Sequence, residues 1–193
     1  MIIENGAGNG NKAKVNEFNR LYVSAVQQTE ESRRVREGNA YLLTMDTTLT
    51  TDGETALFYI ENTGQVELVI SAVGLNTGFS TGGVATSSPE VRLEVNPTGG
   101  TLVDAAVDSR NNNRNSGSSN TLPGLSYQGV EGNTLTGGVS LGVSFLGPAN
   151  AFFQPVEMIL PKGGSFGVLY KPAASNTSID VSIGVSVYLN GEF

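Results

Sequence analysis

A run of eleven residues near the end of the chain constrains the fold more than any other feature. From Ile179 to Leu189, apolar residues alternate strictly with polar or small ones. Alternation at period two places the apolar side chains on one face of a β-strand, whereas a helix would scatter them around its circumference. The run therefore predicts a strand with one face against a core.

Two shorter alternating segments precede this run. Val156–Leu160 and Phe166–Tyr170 are separated by the turn-like residues Pro161–Gly164, and a second turn-like stretch follows at Lys171–Asn176. Short connections of this kind are typical of antiparallel neighbours. The three segments together predict a three-stranded antiparallel meander.

Short apolar runs separated by Gly, Asn, Ser and Pro continue through the rest of the chain. The segment Thr55–Asn62 has bulky residues on both faces, which favours a central strand. Asn62–Gly64 predicts a hairpin turn into Val66–Val73, and residues 96–100 predict a second hairpin into Thr101–Val107. Further strands are predicted at Arg20–Gln27, Tyr41–Met45, Glu90–Asn96 and Val139–Leu146, the last with a bulge or close contact at Gly142.

This pattern predicts an all-β fold, an antiparallel β-sandwich that is jelly-roll-like. With 25 glycines and 15% charged residues, the composition also favours strands and turns over helices. We expect a flexible N-terminal arm and one short helix beside the sandwich. The predicted division is a docking segment of arm, strand and helix at residues 1–38 and a sandwich domain at residues 39–193.

The predicted helix carries an arginine cluster. Thr29 is a suitable N-cap, acidic residues follow in the first turn, and Gly38 stands where a helix would end. Residues 1–37 hold six Lys and Arg against five Asp and Glu, whereas the rest holds five against thirteen. The cluster of Arg33, Arg34 and Arg36 is interpreted either as a solvated helix face or as a docking segment for an acidic neighbour.

Two missing residue types exclude much chemistry. The sequence has no cysteine and no histidine, which excludes disulfides, thiolate and imidazole metal sites, and serine–histidine triads. The net charge of -7 argues against nucleic-acid binding, and no apolar run is long enough to span a membrane. We therefore expect no catalytic residues, no cofactor and no bound metal, and we expect neither nucleic acid nor membrane as a partner.

Acidic residues leave two weaker hypotheses open. Glu90 and Glu94 lie four apart on one predicted strand face, which we interpret as exposed, and nothing predicts a cleft that would make them a catalytic pair. Asp104 and Asp108 adjoin an asparagine-rich stretch, but their spacing does not match a calcium loop.

Two further segments are candidate contact surfaces. Residues 108–120 contain no apolar side chain, so we expect a surface loop, a disordered tip or a segment that pairs with another subunit. Phe152 and Phe153 form an apolar pair in a predicted loop. One ring is expected to cap the core, and two exposed rings would mark a contact surface.

Four sequence blocks resemble structural proteins of tailed-bacteriophage virions, in particular β-sandwich proteins of the capsid cement or decoration type. None is a sharp motif, but together they cover most of the chain after Glu30. The blocks are EESRRVREGNAY at residues 30–41, TALFYIEN at 55–62 with its return strand, NRNSGSSN at 113–120 and ILPKGGSFGV at 159–168.

The resemblance implies a non-enzymatic virion protein that binds and stabilises the major capsid protein lattice. It implies a location in the virion capsid after synthesis in the host cytoplasm, binding to the major capsid protein or other virion proteins, and a homo-oligomer, preferably a trimer. The alternative is a tail, fibre or baseplate protein for receptor binding, with exposed aromatic residues such as Phe79, Tyr127 or Phe152 at loop tips. The expected partner-binding residues are Lys12, Lys14, Arg20, Arg33, Arg34, Arg36, Arg110, Arg114, Phe152 and Phe153.

Overall fold

Strands that are distant in sequence pair to form two sheets. The computed structural model describes residues 29–78, 88–100, 112–146, 151–173 and 178–191. These ranges contain one helix followed by ten strands, all of the strands lying in a compact unit that runs from Glu31 to Phe193. In chain order the elements are α1 (Glu30–Glu37), β1 (Ala40–Leu49), β2 (Thr55–Asn62), β3 (Glu67–Thr77), β4 (Glu90–Val95), β5 (Asn112–Asn113), β6 (Gly124–Gln128), β7 (Val139–Phe145), β8 (Ala151–Leu160), β9 (Ser165–Lys171) and β10 (Ile179–Asn190).

The strand order is that of a jelly roll. Sheet 1 has the order β5-β1-β10-β3-β8 and sheet 2 the order β6-β2-β9-β4-β7. Without the accessory strands β5 and β6, the first strand pairs with the last, the second with the last but one, and so on inward (β1–β10, β2–β9, β3–β8, β4–β7). This nesting of antiparallel pairs is a long hairpin rolled into two sheets. The predicted all-β antiparallel sandwich is confirmed.

The predicted hairpin at Asn62–Gly64 and the predicted meander are wrong, although their strands are present. The turn after Asn62 carries the chain from sheet 2 to sheet 1, so β2 and β3 do not pair. In the same way β8 and β10 lie in sheet 1 while β9 lies in sheet 2, and the predicted meander does not form. Both sheets bury the same core, so an apolar face does not determine which sheet a strand joins. The predicted strands at residues 20–27 and 101–107 lie outside the described residues.

One apolar core fills the space between the two sheets. On β10 the inward residues are buried along the whole strand, as the alternation predicted, and β2 is central in sheet 2, as its two bulky faces predicted. Each large side chain buried in such a core stabilises the fold by about 1.5–3 kcal/mol. The largest fully buried side chains are Tyr41, Tyr170, Phe58, Phe166, Leu43, Leu49, Leu57, Ile60, Leu68, Ile70, Leu75 and Leu160.

Helix α1 packs on the outer face of sheet 1 and ends where the sequence predicted. Gly38, at φ 74°, adopts the left-handed conformation, and the amides of Gly38 and Asn39 donate to the carbonyls of Val35 and Arg34. These two bonds form a Schellman motif. Val35 packs against the outward cluster of Ala40, Val69 and Tyr188, so the helix covers one end of the sheet.

An asparagine-rich segment, here called the asparagine loop (residues 113–120), binds the C-terminal end of α1. Asn113 Nδ2 donates to the Gly38 carbonyl at 2.8 Å, and Asn115 Nδ2 donates to the Arg36 carbonyl at 2.9 Å. At the start of the loop, Asn112–Asn113 forms the short strand β5, which pairs with Tyr41 and Leu42 of β1. The prediction covered residues 108–120, of which 108–111 lie outside the described residues. The described part is a surface segment that contacts its own chain.

One predicted boundary and one predicted environment change. Strand β1 extends to Leu49 rather than ending at Met45. Glu94, expected to be exposed, is only 3% exposed. The chain folds over it, since the Gly138 amide donates to Glu94 Oε1 at 3.0 Å and Arg92 Nη2 lies 3.8 Å from Oε2. Glu94 is thus a structural carboxylate that ties residues 136–138 to sheet 2.

A second structural carboxylate, Glu131, closes the loop after β1. Its Oε1 accepts the Thr50 amide at 2.6 Å and the Thr51 amide, and its Oε2 accepts the Thr50 hydroxyl at 2.7 Å. The hydrogen bonds from Thr50 and Thr51 stabilise the charged form and lower the pKa of Glu131 to about 2.

Replacing Glu131 by Gln is expected to lower the free energy of unfolding at pH 7 by about 1 kcal/mol, a value reduced for the exposure of the site. Because the folded pKa lies below the unfolded one, the contribution of the carboxylate is fully present above about pH 4.5. It is lost as the pH falls toward about 2. Thermal unfolding between pH 7 and pH 2 should show the two proteins converging. Asp52→Asn, an equal charge change at an exposed loop residue, should show no such convergence.

Candidate docking surface

The strand β7 exposes all four of its apolar side chains, and among its small residues only Ser144 is half-buried. Directly opposed residues in a sheet point to the same side. Gly142 and Ser144 lie opposite the buried Leu93 and Val91, whereas Val143 and Phe145 lie opposite Arg92 and Glu90 on the outer face. Val139 and Phe145 are 68% and 67% exposed. Exposed apolar side chains in this number make the strand a candidate contact surface.

A bulge interrupts β7 at its centre. Gly142 pairs with Leu93 but Ser140 pairs with Glu94, which leaves Leu141 without an opposed residue on β4. Gly142 has φ 135°, a conformation that favours glycine. The predicted irregularity at Gly142 is confirmed, and its effect is to leave Leu141 exposed beside Val143.

Strand β8 adds further exposed apolar residues. Phe152 and Phe153, predicted to lie in a loop, are part of this strand. Phe152 packs against the core, as one ring was expected to do, while Phe153 is 73% exposed. The ring of Phe153 lies beside Gly74 of β3, where a larger residue would contact it. Ile159 is exposed farther along the strand.

These two strands form one edge of the sandwich. Among the described residues β7 has a single neighbouring strand, β4, and β8 has a single neighbour, β3. Leu141, Val143 and Gln154 line a common depression of about 200 Å³. Strand β7 of sheet 2 therefore lies next to β8 of sheet 1 at the same edge of the sandwich. Six of the nine large hydrophobic side chains that are exposed in the described residues belong to this edge. The β7–β8 edge is defined here as Val139, Leu141, Val143, Phe145, Phe153 and Ile159.

The edge is also almost free of charge. Strand β7 contains no charged residue and β8 contains only Glu157, in a chain of net charge -7. On the adjoining strands the charges are paired within the chain, since Arg92 contacts Glu54 at 2.6 Å and Lys171 lies 3.9 Å from Glu90. Natural edge strands usually carry charges, prolines or covers that discourage association. The β7 strand has only its bulge.

The sequence-predicted contact residues fall into two groups. Arg33 and Arg36 lie on the exposed side of α1, whereas Arg34 is buried and donates to Glu37 at 2.7 Å. Arg114, in the asparagine loop, forms an ion pair with Glu31 of the same helix. The structure therefore places four predicted arginines at α1, where Arg34 pairs within the helix and Arg114 joins the asparagine loop to it.

The remaining predicted contact residues lie at the edge, in the core or outside the described residues. Phe153 belongs to the β7–β8 edge and Phe152 to the core. The other predicted contacts, Lys12, Lys14, Arg20 and Arg110, lie outside the described residues, as do Asp104 and Asp108. The four apolar residues of β7 were not predicted as a surface. Their one sequence signal is that the residues alternating with them are only Ser and Gly.

A polar hollow of about 510 Å³ lies at the far end of sheet 1. Asp46 and Asp180 line it together with Thr48, whose hydroxyl donates to Asp180 Oδ1 at 2.6 Å. Within the described ranges, no three potential metal-ligating side chains come together. The hollow thus supplies two carboxylates and hydroxyls, a set short of a metal site.

Comparisons with known proteins add no family to these observations. In the part of the chain that the structure describes, no helix has the length and apolar character required to cross a bilayer. No protein-family model matches the chain, and no curated protein matches it.

Proposed function

We propose that this chain is a non-enzymatic structural protein of a virion, of the capsid cement or decoration type, which binds the major capsid protein lattice. The observation that carries the proposal is the β7–β8 edge, where six exposed apolar side chains lie on two edge strands that hold a single charged residue, Glu157. Such surfaces mark protein–protein contacts. The jelly roll is compatible with this role because it is common in viral capsid domains, although the fold alone does not determine function.

The rest of the molecule fits a binding role. With neither histidine nor cysteine in the sequence, imidazole general bases and thiol nucleophiles are missing. The carboxylates Glu94 and Glu131 accept hydrogen bonds from the backbone of their own chain. They stabilise loops that shape the sandwich.

The two described aromatic residues that were named for the alternative of a receptor-binding tail or fibre protein do not lie at exposed loop tips. That alternative expects aromatic residues at loop tips. Tyr127 instead lies on β6, its ring 5.8 Å from that of Tyr59, and Phe152 packs against the core. Phe79 lies outside the described residues.

The proposal is tested by measuring the copy number of this chain in purified virions against the major coat protein. We expect a ratio comparable to that of the coat protein, whereas a few copies per particle or complete absence would contradict the cement role. Particles that lack the protein should bind added wild-type chain. The double variant Phe153→Ser, Ile159→Ser should lose at least about tenfold in occupancy. Leu125→Ser, an exposed apolar residue on β6, is the matched control and should bind normally.

A further inference from the structure

Glu157, the one charged residue of β8, has no polar partner among the described residues of its own chain. Every other glutamate in the described ranges has a hydrogen bond, an ion pair or another electrostatic partner there. Glu67 on the neighbouring strand β3, for example, accepts a hydrogen bond from Asn190 Nδ2 at 3.0 Å. The chain thus uses its other described glutamates in its own structure and leaves the carboxylate of Glu157 available to another molecule.

The backbone at Glu157 is unfavourable for a glutamate. A bulge in β8 places Val156 and Glu157 opposite the single residue Ser71 of β3. Glu157 has φ 49°, which lies in the left-handed region that glycine and asparagine adopt more readily than glutamate does. Residues held in such conformations cluster at functional sites. A glutamate therefore lowers the stability of the free protein at a position where asparagine would fit with less strain.

Apolar side chains that a docking partner would cover flank this carboxylate. Exposed and half-buried residues alternate along β8, so Phe153, Glu157 and Ile159 all belong to the exposed set. Phe153 and Ile159 are 73% and 52% exposed. A partner that buries both of them also removes Glu157 from water. Burial of a carboxylate is costly unless a positive group pairs with it.

We propose that the β7–β8 edge binds a protein segment that carries an arginine or lysine within an apolar face, and that Glu157 pairs with this basic residue. The inference rests on the proposed function and names the chemistry that the edge recognises in its partner. Arginine suits the position best, because its guanidinium group binds a carboxylate through two hydrogen bonds and is common in interfaces. The net charge of -7 also attracts a basic segment before contact.

The same residue has a second effect, which a change of sign separates from the first. A charge and a bulge on an edge strand discourage copies of a protein from pairing there. That protection works with a charge of either sign, whereas a partner's arginine or lysine requires a negative one. Glu157→Lys keeps a charge at the edge and reverses its sign, so it retains the protection and removes the pairing.

The first test measures binding to particles that lack the protein, at low salt. Glu157→Lys is expected to raise the Kd at least about 20-fold, and Glu157→Asn about fivefold. Asp52→Lys changes the net charge by the same amount at an exposed loop residue and should bind as the wild type does. Equal Kd values for the two lysine variants would overturn the inference.

Circular dichroism and thermal unfolding show whether a lost contact or a lost fold causes the effect. Asparagine tolerates φ 49°, so the Tm of Glu157→Asn should equal that of the wild type or exceed it by up to about 4 °C. Weaker binding by a variant that is at least as stable identifies the missing charge as the cause. A large fall in Tm would instead make Glu157 a structural residue.

A second test does not depend on virions. Two labelled peptides of alternating valine and threonine differ only at the central residue, which is lysine in one and glutamate in the other. By fluorescence anisotropy, the wild-type chain should bind the lysine peptide at least about tenfold more tightly, and Glu157→Lys should reverse the preference. Equal binding of the two peptides by the wild type would contradict the pairing.

The outcomes distinguish this inference from the proposed function. A wild-type chain that binds particles as well as its Glu157→Lys variant does refutes the pairing alone. A chain that selects the lysine peptide but is absent from virions refutes the cement role alone. A chain that binds neither particles nor peptides refutes both.

Discussion

Replacing Asn62 by Asp is expected to destabilise the protein by about 3–5 kcal/mol at pH 7. Asn62 is fully buried. Its Nδ2 donates to the carbonyls of Val66 and Leu160 at 2.9 and 2.8 Å, and its Oδ1 accepts the Gly64 amide at 3.0 Å. An aspartate side chain here would present a buried negative charge to two carbonyl oxygens. The contacts join the end of β2 to β8 across the two sheets, so the damage would reach the whole sandwich.

The pH dependence of this variant identifies the cause. Burial and the facing carbonyls raise the pKa of the new carboxyl group in the folded state above its unfolded value of about 3.9. The penalty is thus largest at neutral pH and shrinks as the pH falls, because a protonated acid can donate to one carbonyl. Urea unfolding at pH 7 and pH 4.5 measures it. Gln65→Glu makes the same amide-to-carboxylate change at an exposed residue of the same turn and should cost less than about 0.5 kcal/mol. A pH-independent loss of stability in the Asn62→Asp variant would contradict this explanation.

Replacing Gly129 by Ala is expected to cost about 3 kcal/mol or more, a fall in Tm of roughly 6–12 °C for a chain of this size. The added methyl group would overlap the carbonyl oxygen of Ala56 and lie 2.6 Å from its carbonyl carbon. Neither backbone segment can move easily to relieve this overlap. Gly129 donates its amide to Leu57 at 2.8 Å, and β2 is held by strands on both sides.

Thermal and urea unfolding measure this effect, with Gly53→Ala as the control. Gly53 lies in an exposed loop, and a methyl group there would come no closer than 3.8 Å to Thr51. Its stability should stay within about 0.5 kcal/mol of wild type. Equal stability of the Gly129 and Gly53 variants would show that β2 and β6 can separate at this point.

The sequence identified most of the longer strands and the helix but not how the strands pair. The alternation in Ile179–Leu189 and the helix stop at Gly38 are local signals, and both are confirmed. Pairing is different, because a turn such as Pro161–Gly164 reverses the chain whether the next strand joins the same sheet or the opposite one. Since both sheets bury their apolar faces in one core, the periodicity is the same in either case. The predicted meander failed for that reason.

The candidate docking surface was even harder to predict from the sequence. In β7 the apolar residues alternate with Ser and Gly, and that pattern predicts an apolar face on the chain's own core. The structure turns Val143 and Phe145 outward and places Gly142 and Ser144 inward, opposite Leu93 and Val91. Periodicity identifies an apolar face but does not state whether the same chain or another molecule covers it. The arginines failed in the opposite way. Arg34 and Arg114 were predicted to bind a partner, but they form ion pairs with Glu37 and Glu31 of the same chain.

The position of β10 has a consequence for translation. This strand lies between β1 and β3 in sheet 1, and its register joins Ala40 to Tyr188 and Leu49 to Ile179. While the ribosome is still synthesising earlier residues, β1 and β3 lack the neighbour that both require, and the core stays open. A nascent chain that stops before Ile179 therefore cannot close the sandwich and is exposed to proteases. The sandwich can therefore close only after the last described strand has been synthesised.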